Sequence, residues 1–348
     1  MIVHLVPDFV NNDEYGAGNW KAAEASRISL EKLGGDLRVL QIDSNSPLSC
    51  LASLPREVTD FYIEYSFFPE LLVQLRAHFP DARVHVRTVN AEALQYFVRQ
   101  RRRSVDVLRP GLWKGTARIL WRDMRSRQLA HSLAGINEWD DKYYWRLLPG
   151  KSKVDWVPYY SPWPMLRPQV AVGSWADREP TVVSFGGNFD PSGEANFRNF
   201  DRLATGFADL SQEHWSFVLT WWSQWHDRVP EVSPNVTIVR NLEEPWDLLC
   251  KVRALAVLTP YGYGFKTSIV DGLAAGCHVI VHPRLAPRVP NEIRALCLIG
   301  DPAVPEDVKR LTKALVEPPA PHNLNDQLAE RALAQMKKRF KLTERSAG

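Results

Sequence analysis

A carboxylate, a lysine and two glycines fall close together in the segment Leu255–Pro283, LAVLTPYGYGFKTSIVDGLAAGCHVIVHP. Gly262 and Gly264 let a ligand approach the backbone, because no side chain stands in the way. Ser268 and Asp271 have the spacing of a capping box, which predicts a helix beginning at Ser268 with its unpaired N–H groups turned toward the glycine loop. That end of a helix favours a phosphate. Lys266 lies just ahead of the first turn and would add a cation. Asp271 has two oxygens, so it can cap the helix with one and accept a hydrogen bond from a ribose hydroxyl with the other. A reading in which Asp271 only caps and the glycines only turn uses the same residues.

The elements around this segment are legible as an alternation. Leu255 to Thr259 is an apolar run stopped by Pro260, Gly276 has the character of a helix C-cap, and Val279 to Val281 is the next buried strand. Earlier in the chain, Ile2 to Val6, Leu37 to Ile42, Phe61 to Tyr65 and Arg83 to Thr88 read as strands. Helical patterns separate them at Trp20 to Leu33, around Glu70 to His78 and from Ala91, where Asn90 is the expected cap. Later, Val182 to Phe185, His214 to Thr220 and Val236 to Val239 read as strands, with helices over Glu194 to Leu210 and Trp246 to Val252. This order predicts two parallel sheets covered by helices. A last amphipathic helix over Leu324 to Phe340 is long enough to cross back to the first domain.

The chain of 348 residues is long for one core and suits two α/β domains, with 45% hydrophobic and 24% charged residues as in ordinary globular proteins. The expected divisions are a first domain over 1–160, a linker rich in proline and tryptophan over 161–180, a second domain over 181–323 and a terminal helix and tail over 324–348. Cys50, Cys250, Cys277 and Cys297 show no metal-ligand or CxxC spacing, so reduced and mostly buried thiols are expected. Met1 to Asp8 does not read as a secretory signal and no apolar run is long enough to span a membrane, which gives the expectation of a cytoplasmic protein. No metal site is expected. Asp140 and Asp141 could imitate one, but neighbouring acids are more often exposed.

The stretch Tyr263-Gly264-Phe265-Lys266, with Asp271 and the continuation Gly272 to Ile280, resembles the donor-binding signature of the GT-B glycosyltransferases, in particular the retaining family 4 type. That signature is commonly Glu-Gly-Phe-Gly followed by four residues and a second Glu. Here Tyr263 stands in place of the first acid, Lys266 in place of the second glycine and Asp271 in place of the second acid. The resemblance implies two Rossmann-like domains facing across a cleft. It also implies transfer of a sugar from a nucleoside diphosphate sugar, with retention, to a glycan, lipid-linked or small-molecule acceptor.

Carried onto this sequence, the resemblance puts Asp271 on the ribose, and Gly264, Phe265 and Thr267 in the donor loop. It puts Gly186 and Gly187 against the diphosphate. Arg198 and Lys266 are candidates to neutralise the leaving phosphates. Gly16 and Gly18 would lie in the loop after the first strand, near sugar and diphosphate, while Asn12, Asp13, Glu14 and Asn19 would meet acceptor hydroxyls. Arg87 follows another strand toward the expected cleft. With Tyr263 and Lys266 it forms the candidate catalytic set. No cofactor beyond the donor is implied.

From Arg99 to Leu129 there are ten Lys or Arg residues against Asp106 and Asp123 alone, a local positive field despite a whole-chain charge of +3. Trp113, Ala117, Leu120, Trp121 and Met124 share one helical face, which fits core packing and, as the functional alternative, peripheral contact with an anionic membrane. Nucleic-acid recognition is disfavoured for want of a complete motif. Gly264 to Ser268 also falls short of a P-loop, because Phe265 separates the glycine from Lys266. A nucleotide-sugar epimerase and a noncatalytic sugar-nucleotide-binding protein are the remaining readings.

Overall fold

The computed structural model describes all residues except 12–16, 102–103, 187–190, 211–213, 222–230, 241, 243, 261–263 and 341–348, with backbone alone at 11, 17, 18, 104, 105, 191, 192 and 221. The chain divides into two compact units, one of Met1–Tyr160, Tyr263–Phe265 and Asp326–Gly348, the other of Ser161–Gly262 and Lys266–Asn325.

In the first unit, strands β1 (Ile2–Pro7), β2 (Leu37–Ile42), β3 (Asp60–Glu64), β4 (Arg83–Thr88), β5 (Ser132–Gly135) and β6 (Lys153–Trp156) form a sheet in the order β2-β1-β3-β4-β5-β6. Every pairing is parallel. Helices α1 (Asp8–Asn11), α2 (Ala17–Glu31), α3 (Pro69–His78), α4 (Glu92–Gln100), α5 (Pro110–Leu129) and α6 (Glu138–Tyr143) lie between the strands. Parallel strands need such crossovers, and a sheet covered by them is apolar along its strands. Accordingly Val3, Leu5, Phe61, Ile63, Val84, Val86 and Leu133 are all but inaccessible. The strands β5 and β6 lie outside the sequence expectation, because four residues are too few to show a period.

The second unit contains α7 (Trp163–Leu166), β7 (Glu179–Phe185), α8 (Pro191–Leu210), β8 (Ser216–Trp221), β9 (Val236–Arg240), α9 (Pro245–Leu249), β10 (Val252–Val257), α10 (Thr267–Ala274), β11 (His278–Val281), α11 (Asn291–Arg294), β12 (Leu298–Ile299) and α12 (Pro305–Ala314). Its sheet is again parallel, in the order β12-β11-β10-β7-β8-β9. Both orders are doubly wound. The direction of winding reverses between β1 and β3 in one sheet and between β7 and β10 in the other, and the carboxyl ends at such a reversal are where α/β proteins bind ligands.

The last helix, α13 (Leu324–Arg339), places Leu328, Ala332, Met336 and then Phe340 four residues apart, and all four are buried. Phe340 sits with its ring 4.7 Å from His85, and its carbonyl accepts from Arg83 Nη2 at 2.8 Å. Arg339 Nη1 donates to Ser132 Oγ at 2.6 Å. The terminal helix is therefore an integral part of the first unit from Asp326 on. Burying Phe340 alone contributes about 2 kcal/mol.

One buried arginine organises the start of the second unit. Arg178 is 5% exposed and donates from Nε to Gly173 O (3.1 Å), from Nη1 to Val252 O (3.2 Å) and Gly276 O (3.0 Å), and from Nη2 to Ala275 O (2.6 Å). It thereby satisfies carbonyls at the carboxyl end of α10, which have no partner within the helix. Arg178→Met is expected to lower stability by about 3 kcal/mol in chemical denaturation, because buried carbonyls lose charge-assisted bonds that a thioether cannot replace. Fluorescence of the tryptophans of this unit would report the loss.

Candidate functional site

The carboxyl edge of the second sheet is assembled by two buried asparagines of α8. Asn196 Oδ1 accepts from Leu258 N–H at 2.7 Å and its Nδ2 donates to Ser184 Oγ at 3.0 Å, while Asn199 Nδ2 donates to Leu258 O at 2.9 Å. Ser184 Oγ in turn donates to Ala256 O at 2.9 Å. These bonds tie α8 to β7 and β10 where the winding reverses. Neither asparagine is in the sequence-derived site, although their spacing of three puts both on one helical face.

The same face of α8 presents Ala195, Arg198 and Arg202 to a cavity of about 330 Å³. Its other walls are Pro260 after β10, His282 and Arg284 after β11, and Asp301 and Ala303 after β12. Arg198, Arg202 and Arg284 are exposed, and none is paired with a carboxylate among the described residues. His282 is buried, accepts the Arg284 N–H at Nδ1 (3.1 Å) and faces Asp301 with Nε2 at 3.9 Å. Burial pulls its imidazole pKa below the ordinary value against the opposing pull of Asp301, with Arg284 adding to the decrease. Three guanidinium groups against one carboxylate give this cavity a positively charged lining, the kind that suits an anion with several oxygens.

Of the described residues expected at the donor site only Arg198 lines this cavity; α10 contributes none to it and differs from its sequence expectation. The helix starts at Thr267, with Lys266 as an extended N-cap that makes no side-chain cap bond, so Ser268 and Asp271 do not form a capping box. Burial sets this register. Ile269, Val270 and Leu273 must face inward, which places Asp271 inside too, with its side chain fully buried. Thr267 and Phe265 are also buried and Lys266 is half-buried.

The end of α10 follows expectation. Gly276 takes φ +69, its N–H bonds to Leu273 O, and the Cys277 N–H bonds to Gly272 O, a Schellman termination. A Cβ on Gly272 would lie 2.7 Å from Leu255 and 2.9 Å from Val279 side-chain atoms, so its absence lets α10 lie close on β10 and β11.

Gly186 follows β7, where a Cβ would come within 2.2 Å of Thr220 O. The closeness of β8 thus requires a glycine there without any ligand. Gly264 has φ +92, and within the first unit a Cβ on it would meet Asn90 Oδ1 at 1.8 Å. Gly187 and Tyr263 lie outside the described residues.

In the first unit, Asn12, Asp13, Glu14 and Gly16 lie outside the described residues as well. Gly18 and Asn19 are not in a loop: both belong to the first turn of α2, Asn19 half-buried. Arg87 is 1% exposed in β4 and donates from Nη1 to Tyr62 OH at 3.3 Å, an interior position instead of the substrate-facing one expected. It belongs to a buried polar group with Tyr62 and with Glu64, whose Oε1 is 3.0 Å from His4 Nε2. Asn90 does not cap α4. The N-cap is Ala91, and Asn90 Nδ2 donates to Glu92 Oε1 at 3.3 Å.

Three further features of this unit concern buried acids and a strained backbone. Asp140 and Asp141, expected at the surface, are 2% and 1% exposed, with Asp141 against Gly135. Burial, reinforced by Asp140, pushes the Asp141 carboxyl well above the usual carboxylate range. Tyr65, just past β3, has φ 72 and is the non-glycine residue held in that region among the described residues, fixed between Phe67, stacked at 5.3 Å, and Phe9. Last, Asp123 is fully buried on α5, accepting from Ser66 Oγ at 2.7 Å and Tyr144 OH at 2.5 Å.

Among the described residues no three histidine, cysteine or acidic side chains gather as metal ligands would, and no helix is long and apolar enough to cross a membrane. Cys50, Cys250 and Cys277 are buried free thiols and Cys297 is a half-buried one.

No protein-family model matches the sequence, and no curated protein does. Solved structures do match. A sucrose-phosphate synthase from Thermosynechococcus elongatus superposes with a TM-score of 0.61 at 14% identity, over 98% of each chain. An alpha-glucosyltransferase in complex with UDP-glucose and DNA containing an abasic site gives 0.58 at 13% identity, again over 98% of each. Anabaena HepE in complex with UDP gives 0.52 at 12% identity, over 98% of this chain and 96% of its own. The fold, two Rossmann-like α/β units with a terminal helix on the first, is thus the GT-B type that these glycosyltransferase structures share.

Proposed function

We propose that the protein is a glycosyltransferase that moves a sugar from a nucleoside diphosphate sugar to a hydroxyl acceptor. The observation that carries this reading is the cavity at the carboxyl edge of the second sheet, where Arg198, Arg202 and Arg284 converge with Asp301 as the single carboxylate among the described lining residues. The donor diphosphate supplies the missing charge. Solved structures of the same fold with UDP or UDP-glucose support a nucleotide donor. In the reaction the bond between the anomeric carbon and the diphosphate breaks and a bond to the acceptor oxygen forms. The acceptor proton passes to a donor phosphate oxygen on the same face, giving retention. The arginines act on the negative charge that gathers on the departing diphosphate, and the rest of the rate comes from holding two substrates together.

In this reading the second unit is the donor side, with Gly186, Gly187, Thr267 and Asp271 near the nucleotide, Asp271 on the ribose, and Lys266 beside the phosphates. Gly264, Phe265 and Tyr263 line the sugar. The first unit takes the acceptor, a glycan, a lipid-linked or a small molecule, near Asp13, Glu14 and Asn19. Gly16 and Gly18 are the proposed donor contacts of the first unit, and Arg87 its proposed catalytic arginine. The enzyme works in the cytoplasm, with peripheral contact to an anionic surface through 99–129.

Incubation with a panel of nucleotide sugars tests the reading. Release of a nucleoside diphosphate with a gain of one sugar in acceptor mass is the expected result. A changed nucleotide sugar of unchanged mass would establish epimerisation instead. Binding without turnover would establish a noncatalytic protein.

Asp271→Asn sharpens the test. The isosteric change keeps the buried volume, where Asp271→Ala would add a folding cost. Donor affinity is expected to fall about tenfold, read alongside the variant's own melting temperature, since one hydrogen bond to a charged acceptor is weakened. Unchanged affinity would remove Asp271 from the ribose.

A further inference from the structure

The face of α5 turned away from the core carries exposed tryptophans beside exposed cations. The helix buries Leu112, Gly115, Asp123 and Ser126, leaving Trp113 53% and Trp121 49% exposed, with exposed Ala117 midway between them. Of the stripe that would fit core packing, Trp113, Ala117 and Trp121 face outward, while Leu120 and Met124 are half-buried, Leu120 against the core. Lys114, Arg118 and Arg122 follow each of these residues by one position, so a line of cations runs beside the line of apolar groups, about a quarter turn away. Lys114 and Arg118 are exposed, and neither pairs with a carboxylate among the described residues. The acids of the segment, Asp106 and Asp123, are both buried, so neither offsets that charge at the surface.

We propose that this face of α5 docks the protein on an anionic lipid surface. Indoles enter the boundary between headgroups and acyl chains, while the adjoining cations meet lipid phosphates. The platform is already rigid. A Cβ on Gly115 would lie 2.3 Å from Tyr96 Oη, so α4 and α5 are in close contact, and Ser126 Oγ donates to Ser66 O at 2.7 Å. Docking thus orders little that is not ordered beforehand. The Trp113 indole donates to Val107 O at 2.7 Å and its ring lies tilted against Phe97 at 5.2 Å, which holds it in place. A second copy of the chain is disfavoured, because a two-fold contact would bring the cation lines of both copies together. The inference goes beyond the transfer reaction and stands if that reading fails.

Sedimentation of the full-length chain with vesicles tests it, using phosphatidylcholine alone and phosphatidylcholine mixed with phosphatidylglycerol. The expected result is binding to the mixed vesicles that falls as salt is raised. The exposed double variants Trp113→Ser with Trp121→Ser, and Lys114→Glu with Arg118→Glu, are each expected to weaken that binding about tenfold or more. The charge variant should keep the parent melting temperature, and both should keep any melting shift with nucleotide sugars, so loss of docking is separable from loss of fold or donor binding. No binding to the mixed vesicles, or equal binding by parent and variants, would overturn the proposal. Tighter binding to a DNA duplex than to the vesicles, or self-association abolished by the tryptophan variant, would overturn it in favour of those partners.

Discussion

Replacement of Arg198, Arg202 and Arg284 together by Gln is expected to weaken binding of a nucleoside diphosphate about a thousandfold, each charge-assisted contact contributing about 1.5 kcal/mol. All three side chains are exposed and line the cavity of the second unit, so the melting temperature of the unliganded protein should scarcely move. Single replacements should each weaken binding about tenfold and flatten its salt dependence, because fewer cations meet the phosphates. Calorimetric titration with UDP and GDP at low and moderate salt is the measurement. If the triple variant bound as tightly as the parent, the cavity would not be the donor site. The glycosyltransferase reading would then lose the observation that carries it.

The second large effect concerns pH. Burial drives the Asp123 carboxyl from its ordinary 3.8 to about 7, against the opposing pull of its bonds from Tyr144 and Ser66. Between those two values the folded chain holds a proton that the unfolded chain has released. Stability attributable to this group is therefore highest at low pH, falls as pH rises through the window, and is lowest above about 7. The full difference amounts to about 4 kcal/mol. Asp123→Asn, neutral at every pH, should remove this component, so that the gap between variant and parent shifts in favour of the variant between about pH 4 and about pH 7. Buried Glu92, also raised by burial and by the neighbouring Asp123 charge, adds a slope of the same sign. Lowered groups such as Asp60 and His85 act oppositely, and the comparison of parent with variant cancels them. Urea denaturation across the pH range reads the result. Parallel curves for the two proteins would show that Asp123 is ionised in the fold throughout.

Several residues mark where the sequence was legible and where it was not. The alternation of apolar runs and helical patterns carries the doubly wound class, because strands covered on both faces must be apolar and their crossovers amphipathic. Gly276 was legible for a local reason, since a helix ending in the left-handed region admits little else. The capping box at Ser268 was not. Its local advantage is small beside the burial of Ile269, Val270 and Leu273, which sets the start and rotation of α10. In the same way the acids at 140 and 141 went inside and the tryptophans at 113 and 121 stayed out. The helical period identifies a face but not what covers it.

The amino-acid order by itself therefore determined most element types and the sharp end of α10, which depend on interactions within a few residues, and the alternation of those elements implied two parallel sheets. Only the tertiary structure decided that α8 would be stitched to β10 through Asn196 and Asn199, and that Arg198 and Arg202 would meet Arg284, some eighty residues farther on. Charges so far apart in the chain share a cavity only after strand order has brought the ends of β10, β11 and β12 under one helix. That order is set by long-range packing, which no local spacing records.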